Sequence, residues 1–287
     1  MIKAVRKAIL PVAGLGTRLL PATKTMPKEM LTVVDRPLIQ YAVDEAREAG
    51  IEQMILVTAR GKSSLVDYFD TSFELEAALE KAGKSLEPLA PARSSIGEIV
   101  SVRQHQQLGL GHAVWCARQL VGDEPFAVLL PDDLMVGKPG ALKQMMDAYA
   151  TLGGNIICAE EVPADRTGSY GIITPGATDG AVTEVKGLVE KPRPAEAPSR
   201  LAIVGRYILQ PEVMEILETG ERGAGGEIQL TDGMAKLVGR QPFHALKVDA
   251  VRHDCGDKAG FVLANLAVAL GRDDLRPKIE EYLASRG

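Results

Sequence analysis

The chain lacks four things that would direct its reading elsewhere. Only three cysteines occur, Cys116, Cys158 and Cys255, odd in number and far apart, so no disulfide framework is implied and reduced thiols in a cytoplasmic setting are expected. No apolar run reaches the roughly 18 residues needed to span a bilayer, so no membrane segment is expected; even 261–270 reads only as a buried helix. Lys3, Arg6 and Lys7 before the apolar stretch 8–13 imitate a signal peptide, but the stretch is short and flows into Gly-Leu-Gly-Thr-Arg, as a first strand would. With a formal net charge of −5 there is no basic footprint for nucleic acid. Finally, there is no internal repeat or low-complexity tract, which excludes a β-helical extension. The 46% hydrophobic and 25% charged content belongs to an ordinary globular protein, long enough at 287 residues to bury a full core.

The most informative segment is the glycine-containing stretch at 11–30. Ala8-Ile9-Leu10 leads into Ala13-Gly14-Leu15-Gly16-Thr17-Arg18, and Lys28 follows ten residues later between Pro27 and Glu29. Glycines let backbone N–H groups approach an anion, and a cation at each end of the loop can neutralise a polyphosphate. Two commoner glycine loops fail. A dinucleotide fingerprint needs a third glycine where Leu19 stands, and no acidic residue fits about 20 positions on. A Walker loop ending in Gly61-Lys62-Ser63 needs a glycine where Leu56 stands, so that match is accidental.

Apolar β-type runs alternate with helical patterns, which predicts an α/β protein with a mostly parallel sheet covered on both faces. Strands are expected near 6–12, 53–58, 98–103, 126–131, 154–161 and 201–209. Helices are expected near 37–49, 62–82 (broken), 111–120, 139–152, 211–218, 227–239, 257–270 and 273–285. Pro11 cannot donate to a ladder and should mark the end of the first strand. Between 162 and 200 glycine and proline become frequent, and short runs at 171–174 and 182–190 read as an inserted antiparallel ribbon. It should form one wall of a cleft whose other wall is the glycine loop. One domain over 1–287 is expected: a nucleotide part at 1–161, a sugar-phosphate part at 162–256, and C-terminal helices at 257–287.

Further clusters carry chemistry. Leu129-Leu130-Pro131-Asp132-Asp133 ends an apolar strand in two carboxylates, where open α/β sheets bind ligands; the plainer reading is a turn-capping Asp. His253-Asp254-Cys255-Gly256 invites zinc, yet two ligands without a second pair make no tetrahedral site. Asp254 fits better as a second hard-oxygen ligand for Mg²⁺ beside Asp132, although taken alone an Asx turn is the favoured reading, with His253 and Cys255 structural. Arg103-Gln104, then Leu108-Gly109-Leu110-Gly111-His112-Ala113, opens a helix. A glutamine amide both donates and accepts, which suits the edge of uracil or thymine, and Gly109 lets backbone approach the base. Trp115 and Tyr41 read as core, and His112 as structural.

These motifs resemble, in order and separation, those of the sugar-1-phosphate nucleotidylyltransferases. The resemblance rests on Gly14-Leu-Gly-Thr-Arg18, Pro27-Lys-Glu-Met30, Leu130-Pro-Asp-Asp133, Glu190-Lys-Pro192 and His253-Asp-Cys-Gly256. Further matches lie at 69–76, 201–207 and 226–232, the last without a physical role beyond opening a helix. The branch using UTP and glucose 1-phosphate fits better than the one using dTTP. The resemblance implies a Rossmann-like three-layer α/β/α fold with a mostly parallel mixed sheet and a small inserted β ribbon. It also implies Mg²⁺-assisted formation of UDP-glucose and pyrophosphate without a covalent intermediate, and a homo-oligomer, tetramer or dimer.

Its implied site assigns Arg18 to the β- and γ-phosphates, Lys28 to the α-phosphate, and Asp132 and Asp254 to the metal. Ala13, Gly14, Gly16, Thr17, Gln104 and Gly109 would hold the nucleotide. Glu190 would bind sugar hydroxyls, Lys191 the sugar phosphate, and Tyr170-Gly171 with Ile203-Val204 the hexose. The alternatives are a thymidylyltransferase and a non-catalytic nucleotide-sugar-binding regulator.

Overall fold

The computed structural model describes residues 2–286; residues 1 and 287, the ends of the expected single domain, lie outside the described residues. Nine strands form the main sheet: β1 (Lys7–Pro11), β2 (Gln53–Thr58), β3 (Ile99–Arg103), β4 (Phe126–Leu129), β5 (Asn155–Glu161), β6 (Gly171–Asp179), β7 (Val182–Glu190), β8 (Leu201–Leu209) and β9 (Phe243–Leu246). Their order is β3-β2-β1-β4-β8-β5-β9-β7-β6. The block β3-β2-β1-β4 is parallel, and only β8 and β7 run against the rest.

Alternation at period two explains the layers. Ile9, Ile55, Val57, Phe126 and Val128 face one side and are buried by the helices Leu110–Cys116, Val213–Glu218 and Leu230–Ala235. Ala8, Leu10, Met54, Leu56, Ala127 and Leu129 face the other, under Leu38–Glu48 and Ala141–Leu152. Strands apolar on both faces demand helices on both. Pro11 closes β1 at no cost to the ladder. The Val12 amide donates to the Val57 carbonyl (2.9 Å), so the position before it faces β4, and pairing with β4 has already stopped at Ile9↔Val128.

The expected broken helix resolves into Ser64–Asp67 and Phe73–Lys81. The helix expected over 227–239 is corrected to Leu230–Ala235, because the Ile228 backbone pairs with the 108–111 segment instead. Two features carried too little periodic signal to read: strand β9, and an antiparallel ladder of Asp133–Val136 with Val251–Asp254. The helix Lys258–Leu270 packs on that ladder through Ala264, Leu134 and Cys255.

This topology defines an edge. β1, β2, β3 and β4 are parallel, so the loops leaving them, with Gly14–Arg18, Lys62, Gln104 and Asp132, emerge together. The inserted ribbon β6–β7 folds back onto β8 through Ala202↔Ile172, while Ala202 also pairs with Glu160 near the end of β5. Gly171 and its partner Glu190 therefore return to the same edge.

Candidate active site

From Val12 to Met30 the chain coils through three short 3₁₀ turns, Thr17–Leu19, Ala22–Lys24 and Lys28–Met30. Gly16 precedes the first at φ 68°, a conformation that excludes most side chains. Its carbonyl accepts a 2.7 Å bond from the Thr23 hydroxyl, and a Cβ there would press on Thr23 and Lys28 at 3.2–3.3 Å. Gly14, Thr17 and Arg18 are exposed. The Arg18 guanidinium reaches the far side of the edge, since a Cβ on Gly256 would lie 2.7 Å from its Nη2.

Lys28 Nζ donates to Asp132 Oδ2 at 2.5 Å. Burial disfavours both charges, but their attraction outweighs it, lifting Lys28 above and holding Asp132 below its ordinary value. Both therefore stay ionised at neutral pH.

The adjacent carboxylates have different surroundings. Asp133 is buried; its Oδ2 accepts from the Gly205 amide (2.9 Å), and its Oδ1 accepts from Arg252 Nε (2.8 Å) and Nη2 (2.6 Å). A Cβ at Gly205 would meet Asp133 Oδ2 at 2.6 Å, so the glycine makes room for this carboxylate. It lies where β8 shifts register against β5, between Ile203 and Tyr207. Asp132 is a fifth exposed and, among the described residues, its carboxylate has only Lys28. Asp254 pairs with Asp133 across the ladder, and the Cys255 amide donates to the Asp132 carbonyl at 2.7 Å, so Asp254 and Asp132 are backbone neighbours.

Among the described residues the Asp254 carboxylate accepts only the Gly256 amide (2.9 Å). Asp132 and Asp254 each keep an oxygen without a hydrogen-bond donor among the described residues, hard-oxygen chemistry at the ends of neighbouring strands. Among the described residues no group of three or more His, Cys, Asp or Glu could make a protein cage. Such a pair fits Mg²⁺, which keeps several waters and shares its remaining positions with phosphates. Asp133 has no oxygen to spare. Cys255 is fully buried and packs with Val33, Leu38, Leu134 and Ala264, as a structural side chain would.

Gln104 is buried at the end of β3, where its Nε2 lies 3.1 Å from the Gly109 carbonyl and 3.0 Å from His112 Nδ1. Gln107 Nε2 donates to the Ala13 carbonyl at 2.8 Å, joining this base loop to the glycine loop. Gly109 adopts φ 113°, and a Cβ would strike the Ile228 carbonyl at 2.7 Å. The 226–232 segment, whose role the sequence left open, is a strap. The Ile228 amide donates to the Leu108 carbonyl (2.7 Å) and the Gly111 amide to the Ile228 carbonyl (2.9 Å). Thr231 then presses on Gly171, where a Cβ would lie 2.8 Å from its hydroxyl.

On the opposite wall, Lys191 has φ 46°, rare for a residue with a side chain and a mark of local strain at functional loops. Its amide donates to the Tyr170 carbonyl (2.9 Å), and its Nζ lies 3.3 Å from Glu190 Oε1. Arg252 sits 5.3 Å from the Tyr170 ring centroid while holding Asp133, which links the carboxylate corner to the Lys191 loop. Val204 is buried at the β8 irregularity.

Sequence reasoning missed the groups beneath the edge. Arg206 is 1% exposed; its Nε and Nη2 clasp Glu45 Oε1 and Oε2 at 2.9 and 2.7 Å, and its Nη1 donates to the Leu130 carbonyl at 3.0 Å. A signal existed: Arg206 interrupts an apolar strand, and Glu45 falls on the apolar stripe Leu38, Ala42, Ala49. Lys62, dismissed as part of an accidental motif, is also buried. It donates to the Val12 carbonyl and to Glu29 Oε2 (2.9 Å), tying the start of the glycine loop to its end.

Fold and edge together define an α/β protein that sets a cationic, glycine-bearing loop against a carboxylate pair, the arrangement of a phosphoryl- or nucleotidyl-transferring enzyme. The family model described as nucleotidyl transferase matches residues 7–269, and the chain belongs to that family. A UTP–glucose-1-phosphate uridylyltransferase of Komagataeibacter xylinus is 55% identical over 260 residues, 90% of this chain and 92% of that protein. One from Bacillus subtilis is 49% identical, covering 98% and 97% of the two chains. A UTP-bound UGPase from Acinetobacter baumannii superposes with a TM-score of 0.87 at 43% identity, over 98% of this chain and 99% of that one.

Proposed function

We propose that this chain is a UTP–glucose-1-phosphate uridylyltransferase, forming UDP-glucose and pyrophosphate from UTP and glucose 1-phosphate. The observation that carries the reading is the meeting of Arg18 and Lys28 with Asp132 and Asp254 at one edge, in a family member whose relatives bear that name. The attacking atom is a phosphate oxygen of glucose 1-phosphate, already largely ionised at neutral pH because its second pKa is about 6. It attacks the α-phosphorus of UTP, and the bond to the pyrophosphate oxygen breaks. No general base or covalent residue is required, so the protein contributes position and charge.

Arg18 holds the β- and γ-phosphates, Lys28 the α-phosphate, and Lys191 the sugar phosphate. Glu190 takes sugar hydroxyls, Gly171 and Val204 line the hexose, and the base lies on Ala13–Gly14 backbone, Gln104 and Gly109, with Gly16 and Thr17 on the phosphates. Asp132 and Asp254 would hold Mg²⁺, which when bound neutralises phosphate charge. Exposed Val262, Leu263 and Leu283 on the last two helices suit contact in a homo-oligomer. Among the described residues no helix is long and apolar enough to cross a membrane.

The test is pyrophosphate release from UTP, dTTP and CTP, each with glucose 1-phosphate, with and without excess EDTA. Release that prefers UTP, needs the sugar phosphate and stops in EDTA is expected. A preference for dTTP, or binding without release, would overturn the substrate or the catalytic assignment.

A further inference from the structure

We infer that Gln107 is a positioning residue for the nucleotide: its amide fixes the Ala13 carbonyl, and with it the peptide on which the base rests. The inference builds on the substrate reading above. Two successive carbonyls at the exit of β1 are each held by a side chain from another loop. Lys62, buried below, takes the Val12 carbonyl, and Gln107 takes that of Ala13 at 2.8 Å. Between them they fix the peptide planes immediately before Gly14, whose φ and ψ are otherwise the freest in the loop.

Lys62 is a rigid clamp, because its second bond goes to Glu29 (2.9 Å), 1% exposed, whose other oxygen has no partner among the described residues. Gln107 differs. It is exposed, and that one bond connects its side chain to the glycine loop. It lies midway between Gln104, which faces the base edge, and Gly109, which the Ile228 strap immobilises. A segment anchored by buried Gln104 and strapped at 108–111 thus extends one exposed donor to the glycine loop. Losing the donor leaves both walls folded and lets the Ala13–Gly14 peptide rotate. Nucleotide affinity falls, while the sugar wall, built from β6, β7 and β8, is untouched.

The chemistry of the contact makes the test selective, because a carbonyl accepts from any donor and repels a carboxylate. Gln107→Leu, Gln107→Glu and Gln107→Lys are compared with the unaltered full-length protein. Readouts are steady-state kinetics in both substrates, UTP binding by titration calorimetry, and thermal melting. Leu and Glu should raise KM and Kd for UTP about 2- to 10-fold, the span of one hydrogen bond. Their kcat and KM for glucose 1-phosphate should stay within about twofold, and melting should not move for an exposed residue. Lys, which keeps a donor, should restore most of the UTP affinity; a merely structural role would show neither the split nor this rescue.

Unchanged UTP affinity in the Leu variant, or a Lys variant no better than Leu, overturns the inference. The unaltered protein's own product assay reports on the substrate reading separately. An inactive protein that still binds UTP refutes catalysis and leaves the affinity series decisive for Gln107. A protein that binds no UTP refutes both.

Discussion

Asp132 and Asp133 are adjacent carboxylates whose surroundings assign them opposite roles, and replacing each with asparagine should separate those roles. Asp133→Asn keeps an oxygen for the Gly205 amide but removes the charge that Arg252, 10% exposed at its side chain, relies on at 2.6–2.8 Å. Breaking a buried pair from one side costs about 3–5 kcal/mol, and the only other carboxylate beside Arg252 among the described residues is the half-exposed Glu160, 3.5 Å from Nη1. At about 2–4 °C per kcal/mol for chains approaching this size, the melting temperature should fall by roughly 6 to 20 °C. Asp132→Asn breaks a more open pair, its members 17% and 21% exposed, so the loss should fall between the about 1 kcal/mol of an exposed pair and the about 3–5 kcal/mol of a buried one. Its melting point should therefore fall less than that of Asp133→Asn. Its turnover should drop on the order of 10²–10³-fold, the typical loss when one preorganised charge partner leaves a transfer site. Scanning fluorimetry and pyrophosphate release on the two variants give both numbers. If Asp133→Asn melts like the unaltered protein, or Asp132→Asn proves the less stable variant with normal turnover, the division of labour is wrong.

Three further outcomes follow from the same geometry. Gln104→Ala should weaken UTP binding and loosen rejection of CTP without changing sugar choice, as initial rates over both nucleotides would register. Burial holds the His112 imidazole below its ordinary 6.5; as pH falls through 6.5 the unfolded chain takes up that proton first, so stability should decline from there until the folded ring protonates too. A melting curve taken across pH 5 to 8 should show the decline, flattened in His112→Gln. Arg18→Ala should lose UTP, whereas Lys191→Ala should bind UTP nearly normally and lose glucose 1-phosphate; calorimetry showing normal sugar-phosphate affinity in the latter would make Glu190-Lys191-Pro192 an ordinary solvated turn.

The legible parts of this molecule were those written in short-range pattern. Runs such as Ala8-Ile9-Leu10 and Phe126–Leu129 announce themselves because a strand buried on both faces needs uninterrupted apolar residues. Loop motifs are legible for another reason: glycine at φ 68° in Gly16 and carboxylates at a strand end are local requirements. Val251–Asp254 was silent because its four residues are a mixture of exposed and half-buried, and its partner lies 115 to 121 positions away in the chain. Distance likewise hid the role of 226–232, whose contacts lie 117 to 120 positions back at Leu108 and Gly111 and 60 back at Gly171.

Charge follows the same division. The cations and carboxylates assigned to substrate, Arg18, Lys191, Asp132 and Asp254, keep some exposure, as groups that must exchange partners with a ligand require. Those that support them, Arg206 with Glu45, Lys62 with Glu29 and Arg252 with Asp133, are buried and bonded to each other or to backbone. A buried pair contributes little net stability, so its value here is geometric. Arg206 holds the Leu130 carbonyl and Lys62 that of Val12, the peptides from which the carboxylate loop and the glycine loop respectively depart. Substituting an exposed member should therefore change chemistry with the fold intact, and substituting a supporting member should change both.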